Sequence, residues 1–280
     1  MTTSLSETIE DKEKELLEYR KKQRDIGVST ASLNRLPVFE ATLKPQYKER
    51  SFENAYGKMV VIGKLGQDHK NLLETVLYKR KVYKSYRDEK GNRCFEVLYH
   101  EYEVRKYMSK GSAYSKERYE ELIEDMKQAY VKIETKELIT EGNLIADKTF
   151  SSIYNKQSKS NLTGLKGEKI PYAVLKLGSV TNRLIEKELH FTYNPKPIMM
   201  LRSGVSQAII RFLKTHKKHP NRLGYHLKEL IENIEDNVEC QNWYNIKTQL
   251  KKDAERLEVL GILIDFKKER LYVINNQILL

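Results

Sequence analysis

The chain is short of cysteine: among 280 residues only Cys94 and Cys240 occur, far apart and outside any CxxC or Cys/His ligand spacing. Neither a disulfide framework nor a structural zinc site is encoded, and a reducing cytoplasm is the expected setting. Long hydrophobic runs are also missing. None approaches the roughly 18–20 residues of a membrane span, and residues 1–10 show no apolar core after a basic segment, so neither a membrane partner nor a leader peptide is expected. Acid is in deficit: 51 Lys and Arg stand against 39 Asp and Glu, a formal net charge of +12, which favours a polyanionic partner without naming one. What is present excludes disorder throughout, because 39% hydrophobic and 9% aromatic residues supply real cores, and the length suits two domains.

The surplus of positive charge is uneven. Residues 1–150 are nearly balanced, whereas 151–200 carry eight basic groups against three acidic and 201–280 carry fourteen against ten. A nucleic-acid footprint is therefore expected after residue 150.

Along the chain, residues 4–24 are helix formers with too few apolar marks (Leu5, Ile9, Leu16, Leu17) for a buried stripe, which suits a solvated helix, a tail or a partner-binding helix. GVSTASLN (27–34) reads as a linker. An extended segment near 59–62 precedes a helix over 69–81, capped by Asp68 and marked by Leu72, Leu73, Val76 and Leu77. Strand-like runs flank the turn residues 88–92. A short helix over 101–108 and a longer one over 115–130, with Ser115 as its cap, follow. The alternating run 131–135 and the segment 144–154 then form a hairpin. Residues 155–169 are polar, with Lys156, Lys159, Lys166 and Lys169 and the single acid Glu168, and read as a mobile loop or hairpin tip. Strands at 172–177 and 189–193 flank a polar helix-like stretch, 180–188, and the domain boundary is placed near 175–200.

The order then recurs. Val205, Ala208, Ile209, Phe212 and Leu213 mark one helix; Leu227, Leu230, Ile231 and Ile234 mark a second; a third runs from Gln241 to Gly261, a natural glycine just past a helix end. Two β-rich runs, 262–266 and 270–274, are joined by Lys267-Lys268-Glu269. The expected fold class is α+β, two tandem winged helix-turn-helix domains. Residues 1–34 are tail and linker, 35–178 a first domain for dimerisation or other protein contacts, and 179–280 a DNA-reading domain.

At about 100° per residue, Trp243, Ile246, Leu250, Ala254 and Leu257 share one side of the third helix. Opposite lie Gln241, Tyr244, Asn245, Thr248 and Lys252, with Lys247 and Lys251 on one flank. From 241 to 252 there is no acid; Asp253, Glu255 and Glu258 appear only after three turns. A helix whose first half lies among phosphates cannot carry carboxylates there, while its distal half can once it has left the groove. Asn245 has the donor and acceptor pair that matches adenine; Lys247, Lys251 and Lys252 suit guanine edges or phosphates. Lys267, Lys268 and Arg270 in the wing would reach the backbone or adjacent minor groove. A solvated helix face with ordinary polar residues is the alternative. The corresponding helix of the first domain carries Glu117, Glu120, Glu121, Glu124 and Asp125, which would repel a duplex, so protein contacts or marginal backbone contacts are expected of it.

Catalytic patterns are scarce. The stretch from Gly57 to Leu65 misses the phosphate-loop spacing and has Leu where magnesium needs a hydroxyl. His216 and His219, three apart on a basic helix end, suit a phosphate-facing or solvated pair better than a metal site. The tyrosines Tyr83, Tyr86, Tyr99 and Tyr102 suit packing better than nucleophilic attack. No cofactor or metal is expected, and the chain is read as a binding protein and not an enzyme.

Gly66-Gln67-Asp68 with the apolar helix through Leu77, and Ser115-Lys116-Glu117-Arg118-Tyr119 leading into Leu122, resemble the first winged helix of the plasmid replication initiator (Rep) superfamily, of the iteron-binding TrfA type. Residues 242–260 with the wing 262–274 resemble the module of that family that reads iterons, the repeated origin sites. The resemblance spans about residues 60–275 and rests on order and spacing. It implies dimerisation through the first module with autorepression, monomeric binding to double-stranded origin DNA, origin opening, and recruitment of a host initiator and replicative helicase. Carried over by position, Tyr244, Asn245, Thr248, Lys251 and Lys252 would read bases or phosphates. The rivals are a two-domain winged-helix transcriptional repressor and, from the enzyme class, a primase- or relaxase-like protein.

Overall fold

The computed structural model describes residues 26–109, 114–150, 172–216, 219, 223–235 and 240–274. The expectations for residues 4–24 and 155–169 lie outside the described residues. The fold is mixed α+β and its apolar side chains gather into two clusters. One is built from residues between Ile26 and Met199, the other mainly from residues between Tyr193 and Leu271.

In the first unit, β2 (Lys48–Asn54) and β3 (Gly57–Gly63) form a hairpin, and β6 (Tyr130–Glu134) and β7 (Ile139–Gly142) extend it to a four-stranded sheet in the order β2-β3-β6-β7. A second sheet has the order β4-β5-β9-β8, from β4 (Val82–Arg87), β5 (Arg93–Tyr99), β8 (Ile145–Phe150) and β9 (Ala173–Leu177). The expected hairpin of 131–135 with 144–154 is thus redistributed. β6 pairs with β3 and β7, while β8 takes β9 as its antiparallel partner across residues 151–171. The β8–β9 pairing is the one that the hairpin-tip alternative for 155–169 implies, whereas the pairing of β6 with β3 joins strands some 70 positions apart.

Between the strands stand α2 (Gln67–Lys79), α3 (Glu101–Met108) and α4 (Lys116–Gln128). Helix α2 starts two residues before the expected 69, with Gly66 as N-cap in place of Asp68. His69 Nδ1 accepts the Gly66 N–H at 3.1 Å and its Nε2–H donates to Asp125 at 3.0 Å, so one buried imidazole ties the start of α2 to α4. Ser115 caps α4 as its residue type suggests, accepting the Arg118 N–H at 3.1 Å.

After the short α6 (Lys196–Met199), the second unit comprises α7 (Gly204–Leu213), β11 (Tyr225–His226), α8 (Leu227–Glu232), α9 (Cys240–Val259), β12 (Ile262–Asp265) and β13 (Arg270–Val273). Its sheet has the order β11-β13-β12. The first unit holds β5-β9-β8 in the same arrangement: in each, the strand that leads into a shorter and then a longer helix neighbours the second of two later strands, and the first of those two lies outside them. Helix α9 ends as expected at glycine: Gly261 has φ +77°, and its N–H meets the Glu258 carbonyl at 2.8 Å.

Two boundaries differ from the sequence reading. Helix α5 (Ser179–Lys187), assigned to the second domain, buries Val180, Leu184 and Ile185 in the first cluster, and Asn182 Oδ1 accepts the Phe95 N–H at 3.0 Å. The expected linker 27–34 is buried at every residue but Ala31. Ser29 and Thr30 form β1 (Ser29–Thr30), antiparallel to β10 (His190–Phe191), and α1 (Ala31–Arg35) follows, its Ser32 bonded through N–H and hydroxyl to the Glu188 carboxylate. Ile26, Leu33, Leu36, Val38 and Phe39 enter the first cluster while Val28 and Ala41 enter the second. A Cβ on Gly27 would lie 2.7 Å from His190 Cβ, which explains why the residue entering this pair is glycine. A short, small, polar segment looks like a linker when its partners lie some 160 positions away.

The units meet where α2 crosses α7. Arg211 and Glu74 are both 1% exposed. Arg211 Nε donates to both Glu74 oxygens at 3.0 Å and Nη2 to Glu74 at 2.8 Å and Asn71 at 2.7 Å, while Nη1 donates to Gln67 at 2.7 Å and Gln207 at 3.5 Å. The Tyr193 hydroxyl donates to Glu74 Oε1 at 2.6 Å. Lys70, buried one turn before Glu74, has its ammonium on the Leu33 carbonyl, and burial pushes its pKa down to about 7.

Beside this crossing, the β2–β3 turn reaches the second unit. The Tyr56 hydroxyl bonds His216 Nε2 at 3.0 Å, the His216 Nδ1–H donates to the Phe212 carbonyl at 3.0 Å, and His219 Nδ1 pairs with the Tyr225 hydroxyl at 2.8 Å. His216 is therefore a half-buried seam residue and His219 a half-buried partner of Tyr225 within the second unit, not a phosphate-facing or solvated pair, and burial lowers the pKa of each.

Candidate nucleic-acid interface

Helix α9 is fixed by its inward side chains. Ile246, Leu250 and Leu257 are buried in the second cluster, whereas Trp243 is only partly so. Asp253 is fully buried. Its two oxygens accept the N–H groups of Arg202 at 2.9 Å and Ser203 at 2.8 Å, just before α7, and Ser203 donates to Gln249 at 3.1 Å. Asp253, the first of the acids that appear after three turns, is thus an anchor of α9 onto the start of α7. Its spacing, three residues after Leu250 and seven after Ile246, already placed it on the inward face. A carboxylate there satisfies two N–H groups at the positive end of a helix. Asp253→Ala should lower the unfolding free energy by about 2–3 kcal/mol, and Asp253→Asn by less, as read by urea denaturation.

The opposite face is open. Tyr244 is 67% exposed, Asn245, Lys251 and Lys252 are exposed, and Thr248 is half-exposed with its hydroxyl donating back to the Tyr244 carbonyl at 3.0 Å. The side chain of Gln241 lies outside the described residues. Lys247 is not aimed outward: its ammonium meets Glu269 Oε1 at 2.9 Å and lies 5.3 Å from the Trp243 ring, whose Nε1–H donates to the same oxygen at 3.3 Å.

The β12–β13 turn stands beside this face. Asp265 Oδ1 accepts the N–H groups of Lys267 and Lys268, each at 3.0 Å, and these two bonds, that of Lys268 foremost, hold its carboxyl below the usual range. The turn thereby presents Lys267 and Lys268 to solvent; Arg270, at the start of β13, is half-buried. Lys251 lies 5.5 Å from the Phe266 ring, so helix and turn touch at two places. The structure therefore brings Tyr244, Asn245, Thr248, Lys251, Lys252, Lys267 and Lys268 to one open face, and puts Lys247 into an internal ion pair.

On α4 the carboxylates are largely met by cations. Glu121 lies 2.6 Å from Lys64 and 2.7 Å from Arg118, which pull its pKa down to about 2, and Glu120 lies 2.5 Å from the buried Lys148. Glu124 pairs with Lys127 at 3.2 Å. An open groove of about 530 Å³ runs along this helix, with Glu117, Glu120, Glu121, Glu124, Ile123, Lys127 and Lys148 on its walls.

Among the described residues no three His, Cys, Asp or Glu side chains gather as a metal-holding group, and no helix is long and apolar enough to cross a membrane. No family model, curated protein or solved structure matches this chain.

Proposed function

We propose that the protein binds double-stranded DNA through α9 and the β12–β13 turn. On this reading each unit is a winged helix-turn-helix module, and the chain acts at repeated origin sites as a plasmid replication initiator. The observation that carries the reading is the exposed face Tyr244, Asn245, Thr248, Lys251 and Lys252, without a carboxylate over twelve residues of sequence, standing beside Lys267 and Lys268. The repeated strand arrangement β5-β9-β8 and β11-β13-β12 supports the modular reading. In the initiator role the first unit serves protein contacts and self-association, and origin opening follows from binding without a catalytic residue or cofactor.

The test is footprinting and titration on the DNA flanking the gene. The initiator reading expects protection of direct repeats about two helical turns apart, beside an A·T-rich stretch that becomes permanganate-reactive. With roughly six to eight phosphate contacts, log affinity should fall against log salt with a slope near −6. Protection of a lone promoter palindrome without strand opening would instead make the protein a repressor. A salt slope near zero would remove the nucleic-acid reading altogether.

A further inference from the structure

Glu269 does more than close the turn. It has φ +50°, the left-handed region, where a side chain costs energy that glycine would not. Its backbone carbonyl accepts the Leu227 N–H at 2.9 Å at the start of α8, while its carboxylate holds both Lys247 and Trp243 of α9. One residue thus touches the wing, the short helix and the long helix. The hydrogen bond from Lys247 keeps its carboxyl below the usual range.

Resting on the nucleic-acid reading of this face, we propose that Glu269 is a specificity-determining residue. It occupies Lys247 in the place of a phosphate oxygen and locks the wing to the reading helix. A lysine ammonium on a DNA-facing surface adds affinity for any sequence, because it answers to phosphate charge alone. Pairing it internally removes one sequence-independent contact and leaves discrimination to Asn245 and its neighbours. The same carboxylate, placed beside the groove, repels phosphates that approach in the wrong register. Lys247 is therefore a positioning residue of the apo interface and not one of its reading residues.

The experiment compares wild type, Glu269→Gln, Lys247→Met and the double variant on a random-sequence duplex and on the selected site, across salt. Glu269→Gln keeps an acceptor for the Trp243 N–H but removes the charge that holds Lys247. It should bind random duplex roughly three- to tenfold more tightly near 0.1 M salt, with a slope steeper by about one. The ratio of specific to random affinity should fall. Lys247→Met should leave the wild-type slope nearly unchanged, and in the Glu269→Gln background it should abolish the gain. Glu269→Asn, whose residue type tolerates φ +50°, gives the same readout if the Gln variant misfolds. An unchanged slope and ratio in every folded Glu269 variant, with wild type still showing its salt-dependent binding, would overturn this inference alone. A wild type without salt-dependent binding would overturn it together with the proposed function.

Discussion

Arg211→Ala should lower the unfolding free energy by about 3–5 kcal/mol, more than any exposed substitution in the chain, because it strands the Glu74 carboxylate in the seam between the units. Glu74 is 1% exposed and keeps only the Tyr193 hydroxyl among its described side-chain hydrogen-bond donors once the guanidinium is gone, while Gln67 and Asn71 lose the donors that their carbonyl oxygens accept. Each group left buried without a partner adds its own desolvation cost. The double substitution Arg211→Met with Glu74→Leu should recover part of the loss, since no charge then remains unpaired, but not all of it, since Tyr193, Gln67 and Asn71 stay polar. Urea denaturation measured by far-ultraviolet circular dichroism and by Trp243 fluorescence checks both points. In wild type the two probes should coincide. In Arg211→Ala the transition reported by Trp243, which sits only in the second unit, should separate from the global one. A single variant within 1 kcal/mol of wild type would mean that the pair is not closed as described.

The second large effect is on binding. Lys251→Glu with Lys252→Glu reverses two exposed charges on the open face of α9 and should weaken duplex binding by roughly 2–6 kcal/mol, at least about thirtyfold. The salt slope should become shallower by about two, because two phosphate-directed cations are gone. Neither lysine is buried and neither faces Ile246, Leu250 or Asp253, so the melting temperature should stay within a degree or two. Unchanged binding to the selected site would remove α9 as the reading helix while leaving the fold account intact.

The second unit was the more legible of the two because its signals are local. Leu250 and Leu257 keep step with the helical period, Gly261 stops α9, and the turn residues Asp265 to Glu269 lie between the only two strand-like runs nearby. In the first unit and at the seam the decisive contacts are distant. Gln67, Asn71 and Glu74 stand at helical spacing on the polar side of α2, which in sequence looks like a solvated face, and only the arrival of Arg211 from α7 makes that face interior. The pairing of β3 with β6 and the burial of residues 27–34 were hidden for the same reason. On α9, residue type and spacing picked out the outward face but could not show that Lys247 has an internal partner. The acid that claims it lies 22 positions further on and carries no periodic signal.

The early segment that belongs to both cores bears on when the protein can fold during its synthesis. Ser32 is among the first described residues to leave the ribosome, yet its partner Glu188 follows 156 positions later, and Thr215, which accepts Arg35, follows that residue by 180. At translation rates of about 5–20 residues per second, Ser32 waits roughly ten to thirty seconds for its acceptor. During that interval Val28, Leu33 and Phe39 must be kept from wrong contacts by a chaperone or by provisional packing. Maturation of this chain is thereby tied to the completion of its last third, and a product released early would expose the apolar strip that both halves are built around.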